Sequence, residues 1–345
     1  MGFADRVGEL VRDKVILITG GTGTIGVALI RRLLTYSPKA VRIFSRDENK
    51  QYFLKEEWSS APNLRFFVGD VRDRGRLTRA MEYADLVFHL AALKHVESCE
   101  YNPFEAIKTN ILGTQNVIDV AMDHEIEKVI FTSTDKAVNP ANAMGASKLM
   151  AEKLMVAANY YKGKRQTRFA SVRFGNVLAS SGSVIPTFLH RLRLGQPIEI
   201  THPEMTRFFI TLDESVTLLL DSLELCGGGD VLIRKMPVIR ILDLATALLA
   251  RHGLPADERH LRIVGLRAGE KMFEELLTGE ESARTFDLDG YYLIRPQIAV
   301  DTQPPRGTPL PIAPFTSERG EPLSAPAIDE LLARLIPAEP ARAAE

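Results

Sequence analysis

Apolar residues along this chain fall into two alternating patterns. Short unbroken apolar runs, bounded by glycine or charge, alternate with longer stretches in which apolar positions recur every three or four residues. Val15-Ile-Leu-Ile-Thr19 is the first run, and Val41–Ser45, Leu64–Gly69, Leu86–Leu90, Lys128–Ser133 and Phe169–Phe174 follow. Between them, Val27–Thr35, Phe104–Met122 and Ala146–Lys162 carry helical spacing. Runs apolar on both faces are what buried parallel strands need, and their alternation with helices predicts an α/β, doubly wound parallel sheet. After Arg173 the texture changes to a small-residue loop at 175–184, a helix at Ile185–Leu194, and amphipathic helices at Leu212–Leu225 and Ile239–His252. Arginine-bearing loops lie at Met205–Phe209 and Gly265–Lys271. We therefore expect a first domain at 1–175, with 207–240 returning to it. A smaller C-terminal α/β substrate-binding region is expected at 176–206 and 241–300. Residues 301–345 read as a proline-rich tail and a last helix, capped by Ser324, with Ile328, Leu331, Leu332 and Leu335 at helical spacing. No internal repeat is present.

Composition narrows the function. The 43 basic and 44 acidic side chains leave a net charge of −1, so no basic field favours nucleic acid or an anionic membrane. Cys99 and Cys226 offer neither a disulfide framework nor metal-ligand spacing, and no metal is expected. Residues 1–13 lack an apolar leader core, Arg6 stands where a myristoylation signal wants Ser or Thr, and no run of 18 apolar residues exists. A cytoplasmic protein without a membrane span is expected.

The first strand runs directly into Gly20-Gly-Thr22-Gly23-Thr24-Ile25-Gly26 and then a helix. Strand, glycine turn and helix N-terminus together make a pyrophosphate cradle, because the backbone can approach the anion and the unpaired N–H groups favour it. This is a Rossmann-type dinucleotide site; the plain alternative is a tight turn without a ligand. At the end of the second strand, Ser45 and Arg46 stand where an NAD-selective site usually carries an acid, with Lys50 a turn later. A guanidinium suits a 2′-phosphate, which points to NADP; Asp47 and Glu48 blur the reading. Asp70-Val71 falls where an adenine edge is met. Leu90, Ala91, Ala92, Lys94 and His95 follow the fourth strand beside the expected nicotinamide, and Asn110 lies on the next helix.

The densest chemistry is at the end of the fifth strand: Ser133, Thr134, Asp135 and Lys136, then Met144 and Lys148 on one face of a helix start. A hydroxyl, a carboxylate and an amine in sequence suit acid–base work. A capping loop with solvated charges is the bland reading of the same residues.

With Thr19–Gly26 and the Lys148 loop in view, the chain resembles the extended short-chain dehydrogenase/reductase superfamily. Through Ser45–Glu48, Ala91–His95, Ser133–Lys136, Met205–Phe208 and Gly269–Lys271 it is similar to the UDP-N-acetylglucosamine 4,6-dehydratases of polysaccharide biosynthesis. The resemblance covers about residues 13–296. It implies a lyase reaction on a recycled NADP: C4 is oxidised, water leaves across C5 and C6, and hydride returns to C6. It implies that Thr134 orients the C4 oxygen, Asp135 protonates the departing hydroxyl, Lys136 removes the C5 proton and Lys148 binds the nicotinamide ribose. Lys94, His95, Asn176, Val184, Arg207, Arg267 and Glu270 would meet the UDP-sugar. Met144 is a departure, since the superfamily usually places a tyrosine base four residues before the lysine. That leaves open which group deprotonates the C4 hydroxyl, with Asp135 acting through Thr134 as one candidate. The resemblance also implies a homo-oligomer packed through the helices near Phe104–Met122 and Ala146–Lys162, the second of which carries Leu149, Leu154, Met155 and Val156. A UDP-hexosamine 4-epimerase and a non-catalytic NADP-sensing protein are the competing readings.

Overall fold

A computed structural model describes residues 3–178, 180, 182–298 and 306–336. Met1-Gly2, Ala179 and Ser181 of the small-residue loop, and the segments 299–305 and 337–345 lie outside the described residues. The chain divides into two units, one of Met1–Phe174, Leu212–Lys235 and Glu275–Pro314, the other of Gly175–Thr211, Met236–Glu274 and Phe315–Glu345.

The first unit is built on a ten-stranded sheet. Its parallel strands are Val15–Thr19 (β1), Ala40–Ser45 (β2), Leu64–Val68 (β3), Leu86–His89 (β4), Lys128–Thr134 (β5) and Arg168–Phe174 (β6), in spatial order β3-β2-β1-β4-β5-β6. Every residue of β1 is buried, as the unbroken apolar run requires. The strand order reverses between β1 and β4, the switch point at which such sheets bind ligands beyond their carboxyl ends. Register there sets Thr19 beside both Phe44 and His89.

Strand Val231–Arg234 continues the sheet parallel to β6. Antiparallel strands Tyr291–Ile294 and Thr285–Asp287 then follow. This corrects the expected boundary, because residues 275–298 belong to the first unit rather than to the substrate region. The physical reason is Arg173 on β6, 1% exposed, which donates to Glu152 at 2.5 Å, Glu281 at 2.9 Å and the carbonyl of Leu276 at 2.7 Å. Glu281 is itself fixed by a capping box with Thr278. A buried guanidinium needs partners, and the returning segment supplies two of them.

Two helices differ from expectation. The helix after β5 runs Ala143–Tyr161, starting earlier than expected because Asn142 caps it, accepting from Gly145 N at 2.8 Å. The expected Phe104–Met122 helix is three segments: a turn at Pro103–Ala106, a π-helical stretch at Ile107–Leu112, and an α-helix at Gly113–Asp123.

The second unit holds a three-stranded sheet in which Thr206–Ile210 lies between Val238–Arg240 and Asn176–Val177. Its core joins Ile185, Phe188, Phe209, Leu244 and Leu248 to Ile328 and Leu332. The terminal helix Ala325–Leu335 therefore belongs to this unit's core rather than to a separate tail.

Candidate active site

The glycine turn is shaped for close approach. Gly20 has φ +70, and a Cβ there would lie 2.8 Å from the backbone nitrogen of Ala91, so any other residue would clash as well as strain. Helix Thr24–Leu34 begins at Gly23 with no side-chain cap bond, and a helix N-terminus favours an anion. These features fit a dinucleotide pyrophosphate, with Thr22, Thr24, Ile25 and Gly26 lining the turn. Ser45 is tied to Thr22, Oγ to Oγ at 2.7 Å, and accepts from Asp47 N at 3.2 Å. Arg46 is half exposed and lies 3.6 Å from Asp70, while Lys50 pairs with Asp47 at 3.2 Å. Asp70 also binds Arg72 at 2.7 Å. Burial pushes its carboxyl up, but the bonds from Arg72 outweigh that and hold it below the usual carboxylate range. The Val71 side chain is buried in the core against Gly113, so only its backbone is left for a ligand.

Leu90 sits at the end of β4, its N–H donating to Thr19 O at 3.1 Å. Beyond it, Ala91 and Ala92 are half-buried, and Lys94 and His95 are exposed. Asn110, expected to touch cofactor, is 1% exposed. Its amide accepts from Leu93 N at 2.8 Å and donates to Leu93 O at 3.0 Å and Ser147 Oγ at 2.8 Å. It clamps the Leu90–His95 segment rather than facing outward.

At the end of β5, Thr134 Oγ and Lys136 Nζ both donate to Asp135 Oδ1 at 2.9 Å. Asp135 is fully buried, and its second oxygen, Oδ2, has no hydrogen-bond partner among the described residues. Buried carboxylate oxygens are normally paired, and this one is not. Gly145 packs so closely on this turn that a Cβ would collide with the Lys136 carbonyl oxygen. Lys148 Nζ donates to Thr132 O at 2.8 Å and lies 4.4 Å over the Phe131 ring. Burial pulls its ammonium down to about 7, with Glu152 pulling the other way.

Met144 does not join this group. Its side chain is 3% exposed in an apolar cluster with Cys99 and Ala106, against Leu93 and Val96. The thioether packs in this cluster and makes no contact with Asp135 or Lys136 among those described.

In the second unit, Arg207 is buried, donating to the carbonyls of Lys271 at 2.7 Å, Met272 at 3.2 Å and Thr206 at 2.8 Å. Glu270 lies 3.9 Å from it and accepts from Arg267 N at 3.2 Å. Three expected substrate residues thus meet. Asn176, half-buried, lies on the strand parallel to that of Arg207, and Val184 opens helix Val184–Arg193. Sequence reasoning missed His89, a fully buried histidine inside the β4 run; a titratable ring in an otherwise apolar strand was the available signal.

The model of the polysaccharide biosynthesis protein family matches residues 16–296. The chain belongs to this family. It is 46% identical over 291 residues to a UDP-N-acetylglucosamine 4,6-dehydratase (inverting) of Campylobacter jejuni, covering 84% of this chain and 85% of that protein. It is 45% identical over 286 residues to a UDP-glucose 4-epimerase of Rickettsia felis, covering 82% and 83%. Among solved structures it is similar to Pen from Bacillus thuringiensis, with TM-score 0.88, 41% identity, and 94% and 98% of the two chains covered. These relatives place the chain among the short-chain dehydrogenase/reductase enzymes that act as nucleotide-sugar dehydratases and epimerases. Among the described residues no group of three or more His, Cys, Asp or Glu could hold a metal, and no helix is long and apolar enough to cross a membrane.

Proposed function

We propose that this family member is a UDP-N-acetylglucosamine 4,6-dehydratase, a hydro-lyase working on a recycled NADP. The observation that carries the reading is the shared oxygen of Asp135, bonded at once to a hydroxyl and an amine while its other oxygen is unpartnered. Elimination of water needs an acid for the C6 hydroxyl and a base for the C5 proton, and epimerisation at C4 needs neither. A bound nicotinamide supplies hydride acceptance from C4 and its return at C6. The chain's own residues do the rest. Thr134 holds the C4 oxygen, and as it takes the C4 hydroxyl proton its own hydrogen passes to Asp135, which thereby becomes the acid. Lys136 takes the C5 proton as Asp135 gives one to the leaving hydroxyl. Lys136 then gives a proton back to C5 once C6 is reduced, and with the C4 proton spent on the leaving hydroxyl both groups end as they began. Lys148 is held for the nicotinamide ribose.

Asn176, Val184, Arg207, Arg267 and Glu270 hold the UDP portion, and the charge on Arg207 suits its pyrophosphate. Arg46, half exposed, serves the 2′-phosphate. Exposed Tyr101, Phe104, Leu112, Met150 and Tyr161 on or beside the Phe104–Met122 and Ala143–Tyr161 segments support a homo-oligomer.

The test is incubation with UDP-N-acetylglucosamine followed by proton NMR. We expect a 4-keto-6-deoxy product that carries deuterium at C5 when formed in D₂O. Lys136→Ala should lower turnover by about 10²–10⁴ while the bound cofactor still shows reduced-nicotinamide absorbance on mixing. A product epimerised at C4 with C6 oxygen intact would establish the second reading, which the epimerase-named relatives favour. Arg46→Ala should erase the preference for NADP over NAD; an unchanged preference removes Arg46 from the 2′-phosphate site.

A further inference from the structure

One buried polar chain in the first unit is used by none of the steps above. His89, fully buried on β4, has Nδ1 2.7 Å from Thr19 Oγ and Nε2 3.0 Å from Thr114 Oγ. Thr114 Oγ spends its only hydrogen on the carbonyl of Asn110 at 2.6 Å, so it can only accept from the imidazole. Nε2 therefore carries the proton, and Nδ1 must accept from Thr19. Thr19 Oγ in turn accepts from Ala91 N at 3.3 Å. The direction of every hydrogen bond is fixed, and a doubly protonated ring would leave one N–H facing the Thr19 hydroxyl hydrogen.

The ends of the chain touch the candidate site. Thr19 precedes the glycine turn, and Ala91 is the residue whose backbone abuts Gly20. At the other end Asn110 clamps Leu93 and Ser147, and Ser147 Oγ donates to Met144 O at 2.7 Å at the start of the Lys148 helix. The His89 carbonyl accepts from Thr132 Oγ at 3.3 Å, and Thr132 O holds Lys148. The charge facing the ring is that of Lys148, and burial together with that charge pushes the imidazole down to about 3.

We propose that His89 is a positioning residue, a neutral ring locked in the Nε2–H form, that sets the spacing between the glycine turn, the Leu90–His95 segment and the start of the Lys148 helix. The proposal rests on the reading of that turn as a nicotinamide-dinucleotide seat. Its consequence is that the seat is tuned from beneath by side chains that touch no ligand.

The test uses ¹⁵N-histidine-labelled full-length protein. The signal that disappears in His89→Gln should be a neutral Nε2–H tautomer unchanged between pH 5 and 9. A titrating signal or the Nδ1–H form overturns the assignment. In parallel, Thr114→Val keeps shape and removes the hydroxyl, while Thr114→Ser keeps it. We expect NADP(H) dissociation constants, measured by protein-fluorescence quenching, to rise about tenfold in Thr114→Val, about 1.4 kcal/mol, and to recover in Thr114→Ser. A lowered melting temperature in Thr114→Val with an unchanged dissociation constant makes the chain a mere stability element and overturns the proposal. Wild type that binds neither NADP nor NAD instead overturns the cofactor reading beneath it.

Discussion

Helix Ala143–Tyr161 carries two buried charges one turn apart, and their surroundings are opposite. Glu152 is tied into an ion cluster with Arg173, which also holds Glu281 and the Leu276 carbonyl. Lys148 has one carbonyl and the face of one ring. The first arrangement satisfies its charges and joins three segments of chain; the second leaves an amine near its neutralisation point. A buried charge that is fully paired is a fastener, and one that is underpaired is an instrument. The same helix supplies both because positions four apart share a face.

Arg173→Met breaks the fastened side and has the largest expected effect. It strands two carboxylates in the interior, and losing one partner of a buried ion cluster costs about 3–5 kcal/mol. Denaturant unfolding should show that loss, and a change below about 1 kcal/mol, the scale of an exposed pair, would mean the cluster is solvated.

The instrument side is read by pH. Folding lowers the Lys148 pKa from the usual lysine value to about 7, so the unfolded chain binds the extra proton between about pH 7 and 10. Stability then rises with pH across that window, and the penalty is complete below it. Relative to Lys148→Met, cofactor-free wild type should gain about 1 kcal/mol per pH unit from pH 7 to 10. Parallel stability curves for the two proteins would show that Lys148 keeps an ordinary pKa.

Met144→Leu has the smallest effect. A swap of similar volume in the Cys99–Ala106 cluster costs under about 1.5 kcal/mol and should leave turnover unchanged. A large fall in turnover at normal stability would return Met144 to the chemistry.

The parallel strands were legible because burial on both faces leaves a continuous apolar run, as in Val15–Thr19. The return of 275–298 was not, because Thr285–Asp287 and Tyr291–Ile294 are too short to show a period, and the segment is anchored through Leu276 and Glu281 by Arg173, a contact far away in sequence. Thr134, Asp135 and Lys136 were legible as a group because adjacent residues at a strand end must share a corner. The packing of Asn110 and Met144 was not legible, since it depends on the π-helical stretch around Asn110 and on the Asn142 cap that starts the helix of Met144. His89 was hidden inside a strand whose apolar neighbours explained themselves.

The π-helical stretch Ile107–Leu112 has a consequence in angular phase. An α-helix advances about 100° per residue, and a π turn holds one residue more than that advance requires. Before it, Ala106 faces Cys99 and Met144; within it, Asn110 faces Leu93 and Ser147; after it, Thr114 meets His89. Deleting Lys108 would remove the surplus residue, so the stretch would relax into a regular α-helix while everything downstream of it keeps its phase relative to Ala106. The helix itself would gain regularity and Thr114 would still meet His89, while Asn110, inside the stretch, would be re-aimed relative to Leu93. The extra residue works as a fixed phase shifter, by which a single rod addresses three partners that no uniform helix could face at once.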